Sequence, residues 1–567
     1  MSPISTVKVN CQDCHRCVRS CPVKAIGVDG GHARVVEDKC VLCGKCVVEC
    51  PQQAKKVDSQ LKTVQIAIAE KRRVVMSIAP SFVAAFPDVD LSQLRRALRL
   101  MNVTAVEETA VGAAAIAKEY KRILEAAELP IISACCPVVV DLVAKYYPDL
   151  TANLAPVVSP MAAHGRMIRE CWGEDTFVVF AGPCIAKISE AKSSDSCIDA
   201  VLTFEQLRDW LDSAVPDFDK LPIDPNGDTQ SETARFFPIT GGILKSFIDY
   251  DEIGTDVITV NGLTDCMEVF SCLSQWQISP QFIEALACDG GCIGGPGMKK
   301  REGVPVRRVR VVDFARKSVL ISSPAEKPSS LILVREHKAN PIIDFLPSET
   351  EIREILIRTG KFSKEDEKNC GACGYDSCRE KAIAVWQGLA ELEMCIPYMR
   401  SKAESFANII VDNTLNAIIV VDENMLIQEF NPAAEKILGT TREWVKGTSL
   451  SKIIDCTDFI RAVKTQEKLI GKRVEYPGNN LITEQMVLPV REHNMAIIII
   501  NDVTEAEKKA REFAQVKLET IDKAAEIINR QMKVAQEIAG LLGETTGETK
   551  AALLELVSLL KEKSDNP

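Results

Sequence analysis

Residues 11–22 read CQDCHRCVRSCP and residues 40–51 read CVLCGKCVVECP. Both runs have the C-x2-C-x2-C-x3-C-P spacing of a paired 4Fe–4S arrangement, in which three close thiolates wrap one cubane and the fourth reaches across to the other. Cys11, Cys14, Cys17 and Cys50 are therefore expected to hold one cluster, and Cys40, Cys43, Cys46 and Cys21 the second. A zinc site or free thiols is the competing reading, and two complete copies argue against it. Pro22 and Pro51 turn the chain away after each fourth ligand. Residues 1–62 thus read as a ferredoxin-like α+β domain, a conduit for single electrons.

The compartment decides how the remaining cysteines are read, 22 in all. Met1 to Asn10 lacks a basic start followed by an apolar stretch. No run reaches the ~18–20 apolar residues needed to span a bilayer. A cytoplasmic location is expected, where disulfides are disfavoured and clustered cysteines mean metal or catalysis. The net charge of −11 argues against nucleic acid or an anionic membrane surface as partner. At 567 residues the chain exceeds one core, so several domains are expected.

From about Val64 the texture changes to strands alternating with amphipathic helices, such as VVMSIAP at 74–80, LSQLRRALRLM at 91–101 and FVVFAGPC at 177–184. Such alternation predicts parallel sheets, whose ligands collect beyond the carboxyl ends of the strands. Cys135 and Cys136 follow PIISA, Cys184 follows FVVFAGP, and Cys288 and Cys292 lie in EALACDGGCIGG. Cysteines far apart in sequence but all at strand ends can converge on one cluster.

SACCPVVV at 133–140, GPCIAKISEA at 182–191 and ACDGGCIGG at 287–295 resemble, in order, the three signature segments of iron-only hydrogenases. The resemblance covers roughly residues 1–325 and implies a two-lobed α/β core over residues 63–330. It also implies an H-cluster, a 4Fe–4S cubane joined through one cysteine to a two-iron unit with CO, cyanide and a dithiolate amine. By motif, Cys136, Cys184, Cys288 and Cys292 would ligate the cubane, with Cys292 bridging to the two irons. Lys187 would donate to one cyanide, and Ala79, Pro80 and Ser81 would line the other. Cys135 would pass protons to the amine; its bland reading is a buried small hydrophobe. Glu108 would be the first carboxylate of the proton path.

The chain departs from the pattern where that path continues. Ala155 stands in place of the path serine, Met161 in place of a glutamine near the open iron, and Val111 in place of the outer carboxylate. Ala134, Val139, Gly182 and Leu286 are further departures. A proton path needs groups within hydrogen-bond reach, or one water apart. The cofactor pocket is thus expected to be present and turnover to be slow.

CGACGYDSC at 370–378, with Cys395, supplies Cys370, Cys373, Cys378 and Cys395 for a further 4Fe–4S site in a small domain at 331–402; zinc is the alternative. The cofactors expected are therefore three 4Fe–4S clusters plus the H-cluster. Residues 403–506 resemble a PAS domain: an alternating strand, a D-E-N turn, a second strand, an N-P helix cap and a closing hairpin before D-V-T-E. In the tail, 507–567, Ile521, Ala525, Ile528, Met532, Ala535, Ala539 and Leu542 form a heptad seam. A coiled coil and a helix packed on the PAS domain both fit it. The tail holds no histidine to accept phosphate. Cys171, Cys197, Cys266, Cys272 and Cys456 lack ligand spacing and are assigned to packing.

The fold expected is multidomain α/β: ferredoxin-like N-terminus, two-lobed core with parallel sheets, small 4Fe–4S domain, PAS domain and C-terminal helix. The function expected is a slow-turnover H2 or redox sensor signalling through its PAS module to a separate protein, as a homodimer formed by PAS domain and helix. A catalytic hydrogenase exchanging electrons with ferredoxin, and an iron–sulfur scaffold lacking the two-iron unit, are the alternatives.

Overall fold

The computed structural model describes residues 2–193, 195–223, 233–248, 256–298, 302–318, 332–477, 480–491, 494–542, 551, 552, 554 and 555. It divides into two compact units, Met1–Met399 and Arg400–Pro567, the division falling within the helix Ile396–Asn413.

In the first unit the strands Val74–Ile78, Ala105–Glu108, Phe177–Gly182 and Ala200–Thr203 form a four-stranded sheet. All its pairs are parallel, with Val74–Ile78 between Ala105–Glu108 and Phe177–Gly182. Val74–Ile78 and Phe177–Gly182 are buried along their whole length, which is why they read as unbroken apolar runs. A second parallel sheet orders Val257–Asn261, Phe282–Leu286 and Ile131–Ile132. Two parallel sheets are the two lobes, and each cysteine segment follows a strand as expected: 135–136 after Ile131–Ile132, 184 after Phe177–Gly182, 288 after Phe282–Leu286.

The ferredoxin-like segment pairs Ile4–Thr6 with Lys55–Val57 and folds Ile26–Asp29 onto His32–Val35. It does not stand apart from the core. Val18, Val41, Met76, Val179, Tyr375 and Met394 belong to one hydrophobic cluster, so the first three expected domains share a continuous interior. Gly44 shows how close the approach is. It has φ +71°, and a Cβ there would lie 2.6 Å from Pro296 and 2.9 Å from Ile185. Lys24 Nζ donates to the Gly374 carbonyl at 2.8 Å and Arg19 to that of Ala372 at 3.3 Å, tying the four-cysteine segment to the same domain.

The second unit carries an antiparallel five-stranded sheet in the order Ile427–Phe430, Ala417–Asp422, Met495–Asp502, Leu481–Val490, Leu469–Tyr476. Alternating burial along Ala417–Asp422 matches its alternating sequence. Asn431 caps the helix Pro432–Leu438 by accepting from the Ala434 amide at 2.9 Å. It also accepts from the Ile418 amide and donates to the Val411 and Asn416 carbonyls, joining strand and preceding helix at one side chain. The helix Thr504–Leu542 follows. Between 508 and 538 only Ile521, Ala525, Ile528, Met532 and Ala535 are less than exposed, which matches the first five positions of the expected seam; the side chains of Ala539 and Leu542 lie outside what is described. No helix among the described residues is long and apolar enough to cross a membrane.

Of the cysteines assigned to packing, Cys266 and Cys456 are buried. Cys171 is exposed near the end of the helix Pro160–Trp172, so packing does not account for it. The helix turns that position outward while burying Met161, Ala162, His164 and Ile168.

Candidate functional site

Between the two lobes lies a cavity of about 90 Å³. Ala79, Pro80, Ser81, Cys135, Cys184, Lys187 and Cys292 line it, joined by the apolar Met161, Phe237 and Leu286. Cys136 and Cys288 complete the set from behind. Burial pushes the Cys288 thiol well up, and Cys184, Cys136 and Cys292 facing it push it further. Cys184 is likewise raised to about 11, by burial and then by Cys136. Desolvated thiols keep their protons unless a metal takes them as thiolates. Four such thiols converging from three strand-end loops are a donor set suited to an iron–sulfur cubane.

The opposite wall is polar at few points. Ser81 Oγ is buried with no hydrogen-bond partner among the described residues. An unpaired buried hydroxyl costs ~1–3 kcal/mol, so it suits a site that receives an acceptor. Burial alone would push the Lys187 ammonium down, but Glu190, 2.6 Å away, together with Cys184 and Cys135, holds it above its ordinary value. Thus the lysine stays charged in a dry cavity, its other contact being the Cys135 carbonyl at 3.5 Å. The donor set, the orphaned hydroxyl and the charged lysine fit a cubane joined to a unit carrying acceptor ligands.

Cys135 is not held as the expected path would hold it. Its thiol meets the Tyr120 hydroxyl at 3.1 Å, and burial raises it to about 12. Tyr120 is itself enclosed by Phe247 and Phe282, with ring centroids 5.7 and 5.4 Å away. Glu108 does not line the cavity; it lies in a buried ion pair with Arg235, whose Nε donates to Oε2 at 2.7 Å. Ala155 and Met161 are fully buried. Sequence reasoning missed Glu190, although its place three residues after Lys187 on one helix was a local signal. Tyr120 and Arg235 left no signal, being brought in from distant segments.

The other clustered cysteines lie in three further regions of the first unit. Cys11, Cys14, Cys17 and Cys50 line one cavity. Cys46 is raised by burial and then by Cys43, with Cys21 and Cys40 adding to it. Backbone N–H groups of Ala25, Leu42 and Ala54 donate to the sulfurs of Cys21, Cys40 and Cys50 at 3.2–3.3 Å. Cys43 also acts on Cys288, and Gly44 beside it packs against Pro296 and Ile185, so the second set borders the segments that carry the main cavity. In the third block Cys373 and Cys395 are neighbours, Lys361 Nζ lying 3.5 Å from the Cys395 sulfur.

Comparison with known proteins agrees with this geometry. Residues 72–296 match the model of the iron only hydrogenase large subunit, C-terminal domain; residues 4–68 match a 4Fe-4S dicluster domain, 366–397 an Fe-S cluster model and 408–475 the PAS fold. Iron hydrogenase 1 of Clostridium pasteurianum is 26% identical over 307 residues, covering 43% of this chain and 54% of that protein. The periplasmic Fe hydrogenase large subunit of Nitratidesulfovibrio vulgaris is 27% identical over 223 residues, 31% of this chain and 53% of that one. The signal transduction histidine-protein kinase AtoS of Escherichia coli is 25% identical over 170 residues, 28% of this chain and 26% of the kinase. A solved FeFe-hydrogenase HydA1 from Chlamydomonas reinhardtii superposes with a TM-score of 0.40 at 17% identity, over 50% of this chain and 100% of that one. The chain spans about half the length of these two curated hydrogenases. Fold and site together define a multidomain iron–sulfur protein. Its residues 72–296 carry the iron only hydrogenase large-subunit domain, accompanied by dicluster, Fe–S and PAS domains.

Proposed function

We propose that this chain binds H2 at an H-cluster in the cavity between its lobes and reports the resulting redox state through its PAS domain, turning over slowly. The observation that carries the reading is the composition of the cavity. Cys135, Lys187 and Ser81 are retained, while Met161 puts apolar surface in the cavity where the family pattern has an amide, and Ala155, buried outside its lining, replaces a hydroxyl. The chemistry supplied by the bound cofactor is the reversible cleavage of H2 into two protons and two electrons.

The chain's own groups then have separate tasks. Cys136, Cys184, Cys288 and Cys292 ligate iron, Cys292 on the side facing the cavity. Lys187, kept charged by Glu190, donates a charged hydrogen bond, and the Ser81 hydroxyl a neutral one. Met161, Phe237 and Leu286 exclude water. The three remaining cysteine sets would each hold a 4Fe–4S cluster and supply a path for single electrons, the set at Cys40, Cys43, Cys46 and Cys21 including the thiol that acts electrostatically on Cys288. Cytoplasmic ferredoxin is the partner expected for these electrons, and pairing of PAS domains and the Ile521–Leu542 seam the expected route to a downstream protein.

The test is to load the protein with a two-iron unit and record its infrared spectrum and its rates. Bands of bound CO and cyanide, with slow H2 oxidation and slow proton reduction, are expected. No such bands would leave an iron–sulfur scaffold; rates like those of fast hydrogenases would leave a working enzyme rather than a sensor.

A further inference from the structure

The Thr109 side chain lines the main cavity, and from it a continuous series of hydrogen bonds leads away through the sheet. Thr109 Oγ1 lies 2.7 Å from Ser77 Oγ, and Ser77 Oγ lies 2.7 Å from His164 Nδ1. His164 Nε2 lies 3.3 Å from Glu107 Oε2, and Glu107 Oε1 accepts from Trp172 Nε1 at 2.7 Å. Ser77 and His164 are fully buried and Thr109 nearly so, whereas the Glu107 side chain is 34% exposed.

We infer that Thr109, Ser77, His164 and Glu107 form a proton wire between the cavity and solvent. This rests on the reading of the cavity as the place where H2 is split.

Three observations support it. Every member can both give and take a proton, and every spacing is within hydrogen-bond reach. The donors also have one consistent order: with the imidazole proton on Nε2, Thr109 donates to Ser77, Ser77 to His164 Nδ1, and His164 Nε2 to Glu107. A proton taken up by Thr109 from the cavity then displaces one along the series, and Glu107 releases a different proton to water. Each group returns to its starting composition after the hydroxyls and ring reset, so no oxidant or reductant enters the transfer.

The backbone is also arranged to allow it. Ser77 pairs with Glu107 across parallel strands, which puts their side chains in one row. His164 reaches that row because Gly112 lets the helices Ala110–Ala126 and Pro160–Trp172 touch. A Cβ at Gly112 would fall 2.4 Å from the Pro160 carbonyl and 2.7 Å from the His164 amide. A polar chain buried in an otherwise apolar sheet interior is expensive unless it is fully paired, as this one is. The wire starts at Thr109 and does not run through Cys135, whose thiol meets the Tyr120 hydroxyl. It therefore supplies an exit where Ala155 and Val111 have replaced the relay groups of the family pattern.

The test compares the loaded wild type with Thr109→Val, His164→Gln and Glu107→Gln, reading two quantities beside the CO and cyanide bands. One is the rate at which those bands shift after a pH jump under argon, when no H2 is consumed. The other is HD formed from H2 in D2O. Each variant is expected to keep the bands and to slow both processes by about tenfold or more, a modest share of what a positioned acid–base group contributes. Thr109→Ser, which keeps the hydroxyl, restores most of the loss. Band shifts and HD formation at the wild-type rate in all three variants would overturn the wire while leaving the H2 site intact. If the two buried substitutions prevent loading, Glu107→Gln at the exposed end decides: an unchanged rate overturns the proposal. Absence of bands in the wild type would instead sink the reading of the cavity itself.

Discussion

The Tyr120 hydroxyl lies 3.1 Å from the Cys135 sulfur and accepts from the Ala134 amide at 2.9 Å, so one phenol orients the thiol and satisfies the peptide before it. Removing it leaves a buried N–H unpaired. Tyr120→Phe is therefore expected to lower stability by ~1–3 kcal/mol. Chemical unfolding of the cluster-loaded protein measures this, and an unchanged midpoint would show that the hydroxyl is idle.

Arg235 and Glu108 are both almost fully buried and bonded to each other, with the guanidinium also 4.1 Å from the Phe314 ring. Breaking such a pair takes away the closest cation of a buried carboxylate and leaves the Arg95 guanidinium facing it at 3.9 Å. Arg235→Met alone should cost ~3–5 kcal/mol, and the double variant with Glu108→Gln distinctly less. Equal losses in the single and double variants, read from unfolding curves, would contradict this account.

Glu284 sits on the strand Phe282–Leu286, and burial pushes its carboxyl up to about 7 despite bonds from the Gly241 and Leu244 amides. Below its ordinary value of 4.5 both folded and unfolded states hold the proton. As pH rises from there to about 7, the unfolded carboxyl ionises first, so stability is lost through that window and levels off above it. The loss attributable to this group is on the order of 3 kcal/mol. Glu284→Gln should be missing that fall, which unfolding of both proteins at about pH 5 and about pH 8 would reveal.

Gly44 holds φ +71° against Pro296 and Ile185, at the seam where Cys43 approaches Cys288. Gly44→Ala meets both a left-handed backbone, costing ~1–2 kcal/mol, and a clash with the proline. The expected result is slower electron exchange between the cavity and the dicluster segment, with CO and cyanide bands unaltered. Reduction of the clusters under H2, followed by electron paramagnetic resonance, measures it; wild-type kinetics would show that the close approach is not needed.

The cluster cysteines were legible because ligand spacing is a local property. The three cysteines of a C-x2-C-x2-C run can wrap a cubane whatever the rest of the chain does, and the strand-end positions of Cys136, Cys184 and Cys288 followed from alternating texture. The alternating first strand of the second unit and the seam from Ile521 to Ala535 likewise come from short-range periodicity, whereas the sheet's strand order depends on pairing Ala417–Asp422 with the distant Met495–Asp502. The boundaries after residues 62 and 330 were not visible as interior surfaces, because the apolar faces that close them belong to residues as distant as Val18 and Met394.

By itself, then, the sequence determined which chemistry is present: cysteine sets for iron and sulfur, a lysine and a thiol beside one of them, and apolar residues where a relay is expected. Only the tertiary structure decided how protons and charges are routed. Glu108 is paired with Arg235 across 127 residues, Cys135 faces Tyr120, and Thr109, Ser77, His164 and Glu107 fall into one row. The reason is physical: ligand spacing is fixed by bond geometry over a few residues, whereas those pairings depend on strand register and on two helices meeting at a glycine.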